Sequence, residues 1–149
     1  MSCSTKTRFW VDTPSTFVIE PGFTFDAIIH GRPQPMTRAR TRDGRFYNPA
    51  TTDMFTFRSL ISDYFRTQLL EKPVFAKGAS VSVTVEFYLT CSGSREPDLD
   101  NLVKFVLDAC NGLVYADDIQ VNVINAKKHS YVTKNDKGKT HIYATRSPN

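Results

Sequence analysis

Cysteine and histidine are both scarce, three of each in 149 residues. Cys3, Cys91 and Cys110 form no C-x-x-C pair, and no histidine stands at zinc-ligand spacing from them. That pattern excludes a disulfide framework and a cysteine-histidine zinc site, and it points to a reducing, cytoplasmic setting. No uninterrupted apolar stretch approaches the roughly eighteen residues of a membrane span. The segment from Met1 to Trp10, with Lys6 and Arg8 among polar residues, lacks the apolar run of a signal peptide. The expectation is a soluble, non-secreted protein with no membrane partner. Internal repeats and low-complexity tracts are also absent.

What is present is enough apolar material, 40% of residues with 12% aromatic, to bury one core but hardly two. A net charge of +4 favours anionic partners without the extreme balance of a histone-like tail. Alternation of Phe23, Phe25, Ala27 and Ile29 predicts a strand over 23–29, and residues 1–22 before it read as an extension of unclear role in which Phe17–Ile19 could form a short strand. Residues 23–149 are expected to form the single domain. Met54, Phe57, Leu60, Ile61, Tyr64 and Phe65 recur at helical spacing, predicting a helix over 51–71 that Pro73 stops. Val81, Val83, Val85, Phe87 and Leu89 alternate strictly with polar residues, predicting a strand over 79–90. Leu99, Leu102, Val103, Val106, Leu107 and Cys110 predict a second helix over 98–110, with Asp98 as its cap and Gly112 as its terminator. The segments 119–132 and 139–145 flank a turn at 134–138 and predict a C-terminal hairpin. The fold expected is α+β: one domain, a mixed sheet, two principal helices and that hairpin.

On the second helix the apolar residues take one face, so Asp100, Lys104 and Asp108 stack at four-residue spacing on the other. Asp98 lies just ahead of them, and Asp117-Asp118 follow after an apolar stretch. Three or four carboxylates that converge repel one another, and a cation offsets the repulsion. A purely oxygen donor set selects a hard ion, Mg²⁺ or Mn²⁺, which polarises a phosphodiester and acidifies bound water. Lys104 could meet the negative charge of the transition state. The same residues also suit plainer roles: Asp98 as an N-cap, Asp100-Lys104-Asp108 as a solvated ladder, Asp117-Asp118 as a turn. Pattern alone leaves both readings open. A calcium loop is disfavoured, because Leu102 occupies a ligand position and no glycine follows it.

The run Pro97-Asp98-Leu99-Asp100-Asn101-Leu102-Val103-Lys104, then Asp108-Ala109-Cys110-Asn111-Gly112, then Asp117-Asp118-Ile119-Gln120 resembles the signature of the RusA family of Holliday-junction resolvases, a D-x-D-N-x-x-K helix followed by D-D-x-Q. Gly31-Arg32-Pro33-Gln34-Pro35 and Tyr47-Asn48-Pro49 are similar to the basic, proline-containing segment of that family. The resemblance covers about residues 27 to 130. It implies an endodeoxyribonuclease that cuts four-way DNA junctions in recombination and repair, acts as a homodimer, uses Mg²⁺ with Mn²⁺ as substitute, and works in a cytoplasmic setting of bacterial or phage type. By the same resemblance Asp98, Asp100 and Asp118 are metal ligands, Lys104 is the essential lysine, and Asp117 is an additional acidic neighbour.

Two basic regions flank the acidic one. Arg32, Arg38, Arg40, Arg42 and Arg45 stand against a single aspartate, and the C-terminal segment opens with Lys127 and Lys128. Cations of this kind hold backbone phosphate without reading sequence, so these residues are the expected DNA contacts, although lysines there could equally solubilise an edge strand. Two rivals share the residues: a metal nuclease of flaps or other branched DNA, and a non-catalytic DNA-binding protein in which the acidic cluster is structural.

Overall fold

The computed structural model describes residues 14–36, 40–42, 44–47, 51–90, 96–130 and 138–148. Among the described residues seven strands and two α-helices follow the order β1 (Thr16–Glu20), β2 (Thr24–His30), β3 (Arg40–Arg42), β4 (Arg45–Tyr47), α1 (Thr51–Thr67), β5 (Val81–Tyr88), α2 (Leu99–Cys110), β6 (Val121–His129) and β7 (Lys139–Arg146). Five strands make one mixed sheet in the order β1-β2-β7-β5-β6, and β3 and β4 form a separate two-stranded ladder. The α+β reading with two principal helices holds. No helix among the described residues is long and apolar enough to cross a membrane.

Period-two patterning fixes which sheet face is covered. Val81, Val83, Val85 and Phe87 of β5, Phe25, Ala27 and Ile29 of β2, and Ile142 and Ala144 of β7 are buried in one continuous core. Phe57, Ile61 and Phe65 of α1 and Leu102, Phe105, Val106 and Ala109 of α2 close that core. Edge-to-face ring pairs join the layers, Phe25 to Phe65 at 6.4 Å and Phe57 to Phe105 at 5.6 Å, the arrangement that ring quadrupoles favour. The alternate residues of the same strands, among them Asp26, Glu86, Tyr88, His141 and Tyr143, occupy the other, open face.

Three expectations are corrected. The C-terminal hairpin does not form: β5 runs parallel to β6 and antiparallel to β7, so it separates them. Two-residue periodicity in adjacent segments announces strands but not their partners. Here α2 carries the chain from β5 back to a parallel neighbour, as β-α-β connections do, and the apolar β5 takes the doubly paired place. The expected turn at 134–137 lies outside the described residues, but Gly138 shows how the chain enters β7. Its φ is +87°, its carbonyl accepts from Gly31 N at 2.9 Å, and a Cβ there would stand 2.8 Å from the Tyr88 carbonyl. Only glycine passes that close to the end of β5. Phe23, expected inside the strand over 23–29, lies just ahead of β2 and is 61% exposed. Helix α1 stops at Thr67, ahead of the Pro73 limit, because Leu69 turns left-handed at φ 54° and redirects the chain. The short strand foreseen around Phe17–Ile19 is β1, which pairs with β2 from Thr16↔Ile28 to Glu20↔Thr24.

Candidate active site

Helix α2 places the acidic residues by committing its other face to the core. Leu102, Phe105, Val106, Ala109 and Cys110 are buried, and burial pushes the Cys110 thiol up to about 12, so it packs as an unreactive apolar group. Asp98 occupies the N-cap position in extended geometry, yet its side chain makes no capping hydrogen bond. Its carboxylate is therefore not committed to the role that residue type most often fills there. At the other end Arg58 of α1 donates from Nη1 to the carbonyls of Ala109 at 2.9 Å and Asn111 at 2.7 Å. A guanidinium there satisfies carbonyls that a helix end leaves open and complements the negative end of its dipole. The Tyr115 hydroxyl donates to Leu107 O at 2.6 Å. Burial raises its pKa far above the usual phenol value, with Cys110, Asp118 and Asp108 adding to the effect.

The polar face of α2 opens on a cavity of about 640 Å³ lined by Asp100, Lys104 and Asp108 from that face, Asp118 from the turn beyond the helix, and Leu99, Val103, Leu107 and Ala126. Lys104 has no ion-pair partner among the described residues. One oxygen of Asp100 accepts from the adjacent Asn101 N–H at 2.9 Å. Sequence reasoning placed Asp108 in the same row but did not select it for the site; the cavity includes it.

A short 3-10 turn, Asp118–Gln120, presents Asp118. Gln120 holds the turn with its whole side-chain amide. Oε1 accepts from Asp117 N at 2.9 Å, while Nε2 donates to Ala76 O at 2.9 Å and Ala79 O at 3.0 Å. Asp117 completes a capping box by accepting from Ile119 N at 3.2 Å. Gln120, read from the sequence only as a motif position, is thus the anchor of the acidic turn. The Asp118 carboxyl is held above its ordinary pKa, first by a hydrogen bond with Asp117, then by burial and by the charges of Asp117 and Asp108. Negative charge is crowded where the turn meets α2.

Other expected residues are placed differently. Asp98 is not part of the cavity wall, and no three of the described His, Cys, Asp and Glu residues are gathered as a ready metal-holding group. Lys128 is engaged: Nζ lies 2.7 Å from Glu96 Oε1 and donates to Pro97 O at 3.1 Å, tying β6 to the approach of α2. That bond, followed by one from Ser130, holds the Glu96 carboxyl below its usual range. Lys127 is exposed on β6. Arg32 is half-buried and its pKa is lowered by desolvation. The segment that follows reaches the site through the backbone, Met36 N donating to Asn101 O at 2.9 Å. Arg40 and Arg42 lie on β3 and Arg45 on β4, which form a ladder with Arg42 opposite Arg45. Arg38 lies outside the described residues.

Charged groups recur on the open sheet face, already paired. His129 Nε2 lies 2.9 Å from Glu86 Oε1, and His141 Nε2 lies 2.7 Å from Asp26 Oδ1. Tyr88 stacks on His129 at 4.5 Å, and Lys139 Nζ sits 4.9 Å from the Tyr88 ring centre.

The sequence model of one family, described as endodeoxyribonuclease RusA, matches residues 30–143. The match takes in α2, the acidic turn and the arginine ladder. No curated protein matches the chain.

Proposed function

Because the chain belongs to the RusA family of endodeoxyribonucleases, we propose that the acidic cavity is where it hydrolyses the phosphodiester backbone of four-way DNA junctions, with Mg²⁺ as its ion. The observation that carries the assignment is the row Asp100, Lys104, Asp108 facing Asp118 in one cavity, with the lysine unpaired among the described residues. The oxygen-only donor set suits a hard cation, and the crowding that raises the Asp118 carboxyl is what a cation relieves. Asp98, Asp100 and Asp118 would hold it, Mn²⁺ serving as substitute. Bound there, the ion would supply Lewis acidity to the scissile phosphate.

The chain's own residues supply the rest. Lys104, one helical turn from both Asp100 and Asp108, stabilises the charge that accumulates on phosphate oxygens as the new bond forms. Gln120 keeps Asp118 on its turn, and Arg58 fixes the end of α2, so the acidic groups stand on rigid elements. Asp117 is the acidic neighbour that raises the Asp118 carboxyl. Arg32, Arg38, Arg40, Arg42, Arg45 and Lys127 hold flanking phosphates without reading sequence, Lys128 contributing mainly through its tie to Glu96. A homodimer delivers the two symmetric cuts that resolution of a junction needs.

A nicking assay on four-way, flap and linear DNA, each with Mg²⁺, Mn²⁺ or chelator, tests the assignment. Metal-dependent cutting with preference for the four-way substrate is expected. Equal cutting of all three removes the junction specificity, and no cutting with either metal removes the active site.

A further inference from the structure

The stretch 31–36 leaves β2 and crosses to the first turn of α2, and it is fastened at both ends. At its start Gly31 N donates to Gly138 O at 2.9 Å, at the entry to β7. At its finish Met36 N donates to Asn101 O at 2.9 Å, and the Met36 side chain packs against the core. Between them Pro33 and Pro35 fix two φ angles and forbid a helix, and Gln34 Nε2 donates to Arg32 O at 3.1 Å. A segment with two prolines, an internal hydrogen bond and two tied ends keeps little conformational freedom, so it acts as a strut.

The strut lands beside the acidic cavity. Asn101 directly follows Asp100, which lines that cavity, and its own N–H donates to Asp100 Oδ1 at 2.9 Å. Residue 101 is thus held on one side by a cavity carboxylate and on the other by Met36. A helical carbonyl has a second lone pair beyond the one the helix uses, so Met36 adds a bond without taking one from α2. Beyond Met36 the chain reaches Arg40, the first residue of β3, four positions on. Four residues span at most about 14 Å when fully extended, which is about four steps of one DNA strand at roughly 3.4 Å per step. The arginine ladder is therefore leashed within a few nucleotides of the carboxylates, with Met36 as the fixed point.

We propose that Met36 is a positioning residue for the cut: through its N–H the strut sets the separation between the arginines that grip flanking phosphates and the carboxylates that hold the ion, and so selects which phosphodiester is hydrolysed. Neither end reads bases; the register comes from the length of the strut. The inference rests on the endonuclease reading above and adds to it a determinant of cut position.

The test uses the full chain with Mg²⁺ and a four-way junction labelled on each strand in turn. Met36→Leu keeps the N–H and the apolar bulk and should cut where the wild type does. Met36→Pro removes the donor. Its rate at the wild-type position is expected to fall by roughly a hundredfold, the scale of loss that a misplacement of about 1 Å brings, with new cuts at neighbouring phosphodiesters. Junction affinity and its salt slope should stay, because every arginine remains. A bond that served stability alone would lower the thermal midpoint and leave the cut position where it was. Because proline also alters the backbone, a second variant replaces the peptide N–H at position 36 by an ester oxygen and keeps the methionine side chain; it should give the same spread of cuts. Cutting by both variants at the wild-type position alone, or loss of junction affinity by the ester protein, overturns the proposal and leaves the endonuclease assignment standing. A wild type that cuts no DNA overturns both.

Discussion

The open sheet face and the acidic cavity are built from the same materials, carboxylates next to cationic or protonatable groups, and they use them differently. On the sheet each described carboxylate of the cluster has an imidazole partner, Glu86 with His129 and Asp26 with His141. In the cavity Lys104 stands among three aspartates and pairs with none. Cross-strand partners sit opposite one another at a fixed spacing, whereas α2 holds Asp100, Lys104 and Asp108 along one line and leaves their heads to solvent. Density of charge therefore does not mark the site. Charge left uncommitted does, because only uncommitted groups can serve a cation or a phosphate.

The sharpest way to break that contrast is Asp100→Asn, which is expected to bring junction cleavage below detection while binding is retained or strengthened, since the change removes charge that repels phosphate. Gel-shift and nicking assays on the same preparation read both; a wild-type rate in Mg²⁺ would void the assignment. Next comes Lys104→Ala, for which the single-turnover rate is expected to fall by roughly a hundredfold or more. The thermal midpoint should not move, because even an exposed pair would contribute only about 0.3–0.5 kcal/mol. A variant that cuts at full speed would return Lys104 to the solvated surface.

Gln120→Ala should cost about 1–3 kcal/mol, since it leaves the Ala76 and Ala79 carbonyls without their donor, and it should slow cutting because Asp118 loses its anchor. Denaturant unfolding checks the first effect, and unaltered stability would show that water replaces the amide. Replacing Arg38, Arg40 and Arg42 with alanine should flatten the salt dependence of DNA binding by about one unit of slope per lost phosphate contact. An unchanged slope would direct the arginines away from DNA.

The smallest effect belongs to the paired region. His129 holds the Glu86 carboxyl below its ordinary pKa, first by hydrogen bond. A lowered folded-state pKa means stability that is present above the unfolded value and lost as pH falls through the folded one. Melting curves of Glu86→Gln and wild type should therefore differ slightly at neutral pH and converge in acid, with cleavage unaffected. A large loss of activity would mean that the open face takes part in the reaction.

Periodicity made α2, β5 and the acidic row readable in advance, since a helix that buries Leu102, Phe105 and Val106 must turn Asp100, Lys104 and Asp108 outward. It could not show that Arg58, more than fifty residues away from its acceptors, closes the helix, because a guanidinium reaching for main-chain carbonyls leaves no mark in spacing. Gln120 was visible as a motif letter, but its three bonds depend on where Ala76 and Ala79 fall. The predicted hairpin failed for a related reason. A strand's own residues record which faces are wet and dry, while the choice of neighbour is settled by elements that compete for the same edge.

That competition ends with β7 at the centre of the sheet, between β2 and β5, although it is the last of the described strands. On a ribosome the chain would emerge with β1-β2 and β5-α2-β6 already available as two unjoined fragments, each presenting a bare edge. Joining them requires β7 to insert with contacts more than a hundred residues apart along the chain, such as Asp26 beside Tyr143. Non-local closure of this kind slows folding. Synthesis halted before Lys139 would release a product with two open seams and a strong tendency to aggregate, so stalled translation is expected to yield insoluble chains and not a weakened enzyme.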